Sequence, residues 1–405
     1  MYDFNKIKHR CEEASQLTAA LIDDFLLHYA AAQDNLSREF DLRVANYRHI
    51  TQGHTKWVNM IKSQFIIHRV FRQGGLLGKY LNHAAIKRRS QAEQEFLNQQ
   101  HLVPWRFSFS VIIATPAPDF YQMEDVFSGE SFLLYSKGVT ETLKEQSATL
   151  WFNLIAFNGS CWQTFGPLNA YQSFDPDDIF FFGTELDPGI DSDESLLLNV
   201  EKNPLPYMML FHGARIPATF NKKDELLIIF SEHDIDFIDA EKLKADFKVE
   251  YNKNVFRITI PRFDKPPHLT EAFFDENESS MVVSAMTEKG FDGMVKKLLE
   301  VGFDIDPEPQ VRIHPSMLLT AERILKKRIR FNPYESLFTP ESTPEQQDGL
   351  ARLNKFLQSV LPLINEGTPF DIKALAREAD VDPDFAEKLV KDTKARIEGM
   401  KKGYK

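Results

Sequence analysis

The sequence predicts an α+β, multidomain chain. It reads as a helical N-terminal region, a small antiparallel β-barrel or rolled sheet, a mixed α+β module and a helical C-terminal region. Three observations predict this order. Apolar residues recur at helical spacing through the first hundred positions, change to period two after Pro104, and return to helical spacing beyond about residue 316. Several short strand-like runs follow Pro104, each separated from the next by turn residues. The stretch after them mixes strands with one helix and does not repeat a βαβ unit. The expected domains are 1–103, 104–186, 187–315 and 316–405, a division that suits a chain of 405 residues.

The first region earns its helical reading from Cys11, Ala14, Leu21, Ile22, Phe25 and Tyr29, which share one face of a first amphipathic helix. A second helix carries Trp57, Ile61, Phe65 and His68 at steps of four, four and three. Its other side holds Lys62, Arg69 and Arg72 along one stripe, and Gly74-Gly75 supplies the stop. In the second region Phe107, Phe109, Val111 and Ile113 alternate with Ser108, Ser110 and Ile112, the pattern of a half-buried strand. Residues Asp125 to Glu130 form a hairpin turn, and Asn158-Gly159 between two β-rich runs predicts a second hairpin with a type I′ turn. Ile179 to Phe182 is expected as a last short strand, and 183–195 as an acidic linker. The third region offers strands at 225–230, 255–260 and 279–286, a hairpin turning at 252–254, and a helix over Phe291 to Val301. In the last region Pro340 to Gln346 is a joint, and 370–400 is a helical pair with Asp382 as cap and Pro383 in the first turn.

Composition bounds the function. Hydrophobic residues make up 43% and charged residues 26%, which suits a folded soluble chain and excludes global disorder. No apolar run is long enough for a transmembrane helix, and the opening residues lack the apolar core of a secretory signal. Two cysteines, Cys11 and Cys161, are too few for a disulfide framework or a cysteine-rich zinc site, so a reducing, cytoplasmic setting is expected. The net charge is −11, yet Ser37 to His101 holds eleven bases against four acids. Asp119 to Glu250 holds 24 acids against nine bases. Such asymmetry fits a polyanion-facing surface, although charge runs are more commonly two solvated faces that attract one another.

The middle of the chain resembles an uncharacterised group of bacterial proteins in which a helical segment leads into a small β-barrel-like module. The resemblance rests on Tyr121 to Glu130 (YQMEDVFSGE), Ala148 to Ile155 (ATLWFNLI), Trp162 to Pro167 (WQTFGP) and Ser279 to Met286 (SSMVVSAM). Many members carry a cysteine-rich SEC-C zinc-binding tail. This chain has none, so no metal role carries over, and the group supplies no catalytic residues.

The candidate site is therefore cationic. Lys56, Lys62, Arg69, Arg72, Lys79, Lys87, Arg88 and Arg89 are interleaved with Tyr47, Trp57, Phe65, Phe71 and Tyr80. Cations of this kind displace counterions from phosphates, and exposed aromatics stack on unpaired bases. The competing reading makes the aromatics core, which periodicity favours for Trp57 and Phe65. A second basic run, Lys326, Lys327, Arg328 and Arg330, is expected on a helix. The C-terminal pair resembles a DNA-reading helix-turn-helix, with Asp380 where glycine is usual and Lys388, Lys391, Lys394 and Arg396 mixed with Glu387 and Asp392.

Other chemistries lack a motif. Gly74 to Lys79 is not a phosphate-binding loop, because the order and the preceding strand are wrong. No paired-histidine metal motif or Gly-x-Ser-x-Gly elbow occurs, His49 and His54 are badly spaced, and the acids at 187–194 do not have calcium-loop spacing. Glu124 and Asp125 are better placed to fix a turn than to act as an acid/base pair. No cofactor is expected. The sequence reading is a non-enzymatic cytoplasmic protein docking electrostatically to a protein or RNA-containing partner. The alternatives are an enzyme whose site no motif reveals and a DNA-binding regulator that uses the C-terminal pair.

Overall fold

The computed structural model describes residues 2–146, 148–212, 220–221, 223–338, 343–366 and 368–403. The chain divides into two compact units, residues 1–214 with 311–329, and residues 215–310 with 330–405. Both helix and strand are abundant, as an α+β chain requires. Among the described residues no helix is long and apolar enough to cross a membrane.

The first unit opens with α1 (Phe4–Leu17), capped by Asp3. A π-helical stretch (Thr18–Leu26) continues it into α2 (Leu27–Gln33). The expected apolar face is present, with Cys11, Leu21 and Ile22 fully buried. Next come α3 (Leu36–Val44), α4 (Thr55–Phe71), α5 (Leu77–Leu81), α6 (Ala84–Lys87) and α7 (Gln91–Leu102). After α4, Gly74 takes φ +65°, the left-handed conformation that a β-carbon disfavours and that the Gly-Gly stop implies. α7 starts at a capping box, Ser90 with Glu93.

Five strands close into a barrel in the order β1-β2-β3-β5-β4. They are β1 (Arg106–Ala117), β2 (Phe120–Asp125), β3 (Ser131–Tyr135), β4 (Leu150–Phe157) and β5 (Trp162–Tyr171), with α8 (Lys137–Glu145) between β3 and β4. Four pairings are antiparallel, while β3 and β5 run parallel and complete the closure. Ile112, Met123, Leu134, Trp151 and Ala170, one from each strand, lie in a single apolar cluster. Side chains from all five strands can meet only inside a closed barrel, so this set fills the lumen.

That assignment reverses the simple reading of β1. Ser108 and Ser110 share the Ile112 face and point inward, whereas Phe107 and Phe109 point outward. Both pairs are buried. The outside is dry because aromatic and helical groups cover it. Phe107 lies 4.8 Å from the His68 ring, and Phe109 stacks on Phe152 at 4.3 Å and meets Tyr207 edge-on at 6.2 Å. The strand is thus buried on both faces over 107–110 and turns outward beyond, where Ile113 is 57% exposed.

Two turn expectations resolve differently. Asp125 fixes the β2–β3 turn, its Oδ1 accepting from Phe127 and Ser128 backbone N–H groups at 3.2 and 2.9 Å. The β4–β5 hairpin is also present, but its loop spans 158–161 and only Gly159 has positive φ. Type I′ needs two such residues, so the turn is of another kind.

The expected strand at Ile179 to Phe182 is instead part of helix α9 (Pro176–Leu186). Asp175 caps it, Asp178 returns a bond to the Asp175 N–H, and Pro176 occupies the first turn. This start signal outweighs the local β-propensity of an Ile-Phe-Phe-Phe run. The expected acidic linker shrinks accordingly, because α10 (Asp193–Lys202) begins within it and α11 (Leu205–Met209) follows. The helix Pro315–Leu325 also belongs to this unit.

The second unit holds an antiparallel sheet in the order β6-β10-β9-β8-β7. These strands are β6 (Ile228–Asp234), β7 (Lys248–Asn252), β8 (Val255–Thr259), β9 (Glu271–Asp275) and β10 (Ser280–Ala285). Lys253 and Asn254 both take positive φ between β7 and β8, the two left-handed residues of a tight hairpin. Helix α12 (Glu288–Glu300) covers one face through Phe291, Met294, Val295 and Leu298. Three further helices, α13 (Pro344–Glu366), α14 (Ile372–Glu378) and α15 (Pro383–Gly403), have their own small core around Phe356, Val360, Ala376 and Ala386. Part of the expected joint at Pro340 to Gln346, positions 340–342, lies outside the described residues.

Candidate functional site

Helix geometry brings much of the basic tract against carboxylates of its own unit. Lys62 Nζ lies 2.8 Å from Asp41, Arg69 3.6 Å from Glu39, and Lys79 2.5 Å from Asp34. Arg89 pairs with Glu93 at 3.3 Å and lies 5.0 Å over the Phe25 ring. Arg72 donates to the Glu201 backbone carbonyl at 2.9 Å, and burial lowers its pKa. Asp34 also accepts from Tyr80, and these donors hold its carboxyl below the usual range against the opposing effect of burial. Lys62, Arg69 and Arg72 therefore do not form an open cationic stripe.

Three of the five aromatics are closed to a stacking base, while Tyr47 and Trp57 are half-buried, Trp57 lying against the Phe211 ring at 6.1 Å. Phe65, Phe71 and Tyr80 are at most 2% exposed, so they are core. Lys56, Lys87 and Arg88 behave differently. All three are exposed, and no carboxylate of the described residues pairs with them. Lys87 and Arg88 are consecutive at the C-terminal end of α6, where helix carbonyls favour positive charge.

The second basic run is not on a helix. Pro315–Leu325 ends just before it, and Lys326 takes φ +56° as the left-handed cap. Lys327 reaches Glu185 at 2.6 Å and Arg328 reaches Glu322 at 3.5 Å. Lys326 and Arg330 have no such partner among the described residues. The run is the continuation of a helix C-terminus, where cations complement the dipole.

In the C-terminal pair, Asp380 takes φ +54°, the conformation for which glycine is usual. Its carboxylate pairs with Arg352 at 2.6 Å, and Asp382 accepts from the Phe385 N–H at 2.7 Å. The tight turn is thus made without glycine. The start of α15 presents exposed Asp384 and Glu387 beside Lys373, an acidic opening that a phosphate backbone would repel.

Two clusters join residues too distant in sequence to form a motif. Asp175, Asp178 and His314 bring ligand-type atoms within 4.8 Å of one another. Asp178 Oδ1 accepts from the His314 N–H at 2.8 Å, and its Oδ2 faces the Asp175 N–H and His314 Nδ1 at 2.9 and 2.7 Å. Burial pushes the Asp178 carboxyl up to about 6. Its oxygens are already committed to protein donors, so the cluster ties α9 to the His314 segment and does not offer a vacant ligand set.

The second cluster is the cysteine pair. Cys11 Sγ and Cys161 Sγ lie 3.3 Å apart, both buried. Asn158 Nδ2 donates to Cys11 Sγ at 3.2 Å and lies 3.8 Å from Cys161 Sγ. Contact with the Cys161 thiol, aided by Asn158, lowers the Cys11 pKa against burial. The same contact and burial raise that of Cys161. The sequence places Cys161 in a strand beside Trp162, whereas the structure places it in the turn just before β5. Only the Asn-Gly turn signal next to Cys161 marked this locality in the sequence.

No family model matches the chain, and the searches of curated proteins and of solved structures found no match.

Proposed function

We propose that the protein is a non-enzymatic, cytoplasmic interaction protein. It docks electrostatically to an acidic macromolecular partner, a protein or an RNA-containing assembly, through Lys56, Lys87 and Arg88 of its N-terminal helices. We also propose that it belongs with the bacterial group that its middle segments resemble, as a multidomain α+β chain. The observation that carries the docking proposal is the contrast within one basic tract. Lys62, Lys79 and Arg89 are held by carboxylates of the same fold, while Lys87 and Arg88 stand together exposed and pair with no carboxylate among the described residues. A cation already held at 2.8 Å by a carboxylate gains little from a second anion, whereas a free one adds its full attraction and raises the encounter rate.

The test compares Lys56→Glu/Lys87→Glu/Arg88→Glu with Lys62→Glu. Native capture with and without nuclease, followed by mass spectrometry and an absorbance ratio, separates protein from nucleic-acid partners. Titration against single-stranded RNA and against poly-glutamate then gives affinity and its salt dependence directly. The triple variant should lose at least about tenfold in affinity for one of these and show a shallower salt slope. Lys62→Glu should lose much less. Undiminished binding by the triple variant, with an unchanged circular dichroism spectrum, removes the proposal.

A further inference from the structure

We propose that Cys11 and Cys161 form a peroxide-responsive thiol pair whose oxidation staples the first helix to the barrel. The pair is built rather than incidental. α1 reaches the barrel through a cluster that contains both cysteines, with Phe120, Leu133 and Tyr135 from the strands and Phe4 and Ile7 from the helix. The sulfurs need to approach by little more than 1 Å to reach a disulfide S–S length of about 2.05 Å. The hairpin holds its cysteine in place, since Asn158 Oδ1 accepts from the Ser160 and Cys161 N–H groups at 3.0 Å each. On the other side, Gln163 Nε2 donates to the Cys11 carbonyl at 3.1 Å and to Ser15 Oγ at 3.1 Å.

The two sulfurs are not equivalent. Cys11 Sγ receives the closer Asn158 N–H, which stabilises a thiolate, so Cys11 is the attacking sulfur and Cys161 the resolving one. Arg10 ties α1 to the same hairpin, its Nη1 donating to Ser160 Oγ at 2.8 Å, while the Glu12 carboxylate opposes negative charge on Cys11.

Both cysteines are closed to bulk water, and a cavity of about 110 Å³ lies on the far side of their hydrogen-bonding partners, with neither cysteine in its lining. It is lined by Ser15, Asn158 and Gln163, the groups that bond to the pair or its backbone. A space of that size admits hydrogen peroxide, which meets the sulfurs by passing Asn158 and Gln163. The Cys11 thiolate attacks one peroxide oxygen, the O–O bond breaks, and hydroxide leaves and takes up a proton as water. Cys11 is then a sulfenic acid, oxidised by two electrons. Cys161 loses its thiol proton and attacks Cys11 Sγ. The S–S bond forms, the S–O bond breaks, and a second water leaves with that proton. In sum, two thiols and one peroxide give one disulfide and two waters.

The test uses the full reduced chain, which has only these two cysteines. After stoichiometric hydrogen peroxide, remaining thiols are alkylated in denaturant and peptides are mapped without reduction. The expected result is one linked peptide containing Cys11 and Cys161, a fall from two alkylatable thiols to none, a monomeric band on a non-reducing gel, and recovery of both thiols with dithiothreitol. Hydrogen exchange over Phe4–Leu17 should slow on oxidation. Asn158→Asp keeps the acceptor for the turn N–H groups but puts a carboxylate where the sulfur had a donor. It should slow cross-linking at least about tenfold. Two thiols still free, a chain-to-chain disulfide, or sulfinic acid without the link would each overturn the proposal, and so would an Asn158→Asp rate equal to that of the native chain.

Discussion

Each unit carries a polar network on a sheet, and the two networks are built to different ends. In the barrel, Ser108 Oγ donates to Asp125 Oδ2 at 2.6 Å, and Asp125 Oδ1 takes two turn N–H groups. Asp125 is 1% exposed, so this network is sealed from water. In the open sheet, Arg257 on β8 gathers Glu250 from β7, Glu271 from β9 and Asp264 from the following loop. These partners are half-exposed. Closing a barrel and covering its outer wall with helices leaves polar lumen groups no solvent to fall back on, so the Ser108 hydroxyl and Asp125 carboxylate satisfy one another, while the Trp151 indole N–H in the same lumen has no protein partner among the described residues. An open sheet with one wet face can hold charges that water and salt still share. Sequence alternation alone does not distinguish the two cases.

The sharpest way to break this comparison is to remove the sealed carboxylate. Asp125→Ala strands the Ser108 hydroxyl and two backbone N–H groups. It should cost about 3 kcal/mol or more in urea denaturation, with little dependence on added salt. A loss below about 1 kcal/mol would show that water reaches the lumen. The buried Asp178–His314 pair should give the next effect, read through pH. The folded-state pKa of Asp178 is raised from 3.8 to about 6 by burial, so the native state holds that proton more tightly than the unfolded chain. Its contribution is complete below about pH 4 and is lost as pH rises through 6. The stability gap between wild type and Asp178→Asn should therefore narrow by about 2 kcal/mol from pH 4 to pH 7. A gap that stays constant over this range would show that the carboxyl is already ionised at low pH. The smallest effect belongs to the wet network. Arg257→Met should cost about 1 kcal/mol at low salt and less at 1 M salt, whereas a salt-independent loss would make that network as sealed as the barrel's.

Particular elements show where sequence reading succeeds. The stop at Gly74, the turn at Asp125 and the two-residue hairpin at Lys253-Asn254 are local, since a few side chains and backbone angles specify them. Ile179 to Phe182 marks the limit. The helix there depends on a reciprocal bond between Asp175 and Asp178 just upstream, a signal present in the sequence and stronger than the composition of the run it controls. The basic tract was legible as a list of cations. Which of them remain available was not, because Asp41 finds Lys62 across a helix pair and Glu201 lies 129 positions from Arg72. The thiol pair, 150 residues apart, was invisible for the same reason.

By itself, the sequence determined the helical start and finish, the β-rich middle, the turn positions and the uneven charge, because periodicity, caps and turn residues act over a few neighbours. Tertiary structure alone decided which face of β1 lies inside the barrel, which cations are spent on the protein's own carboxylates, and that Cys11 meets Cys161. Those outcomes depend on which distant surfaces become neighbours once apolar area is buried, and burial is non-directional.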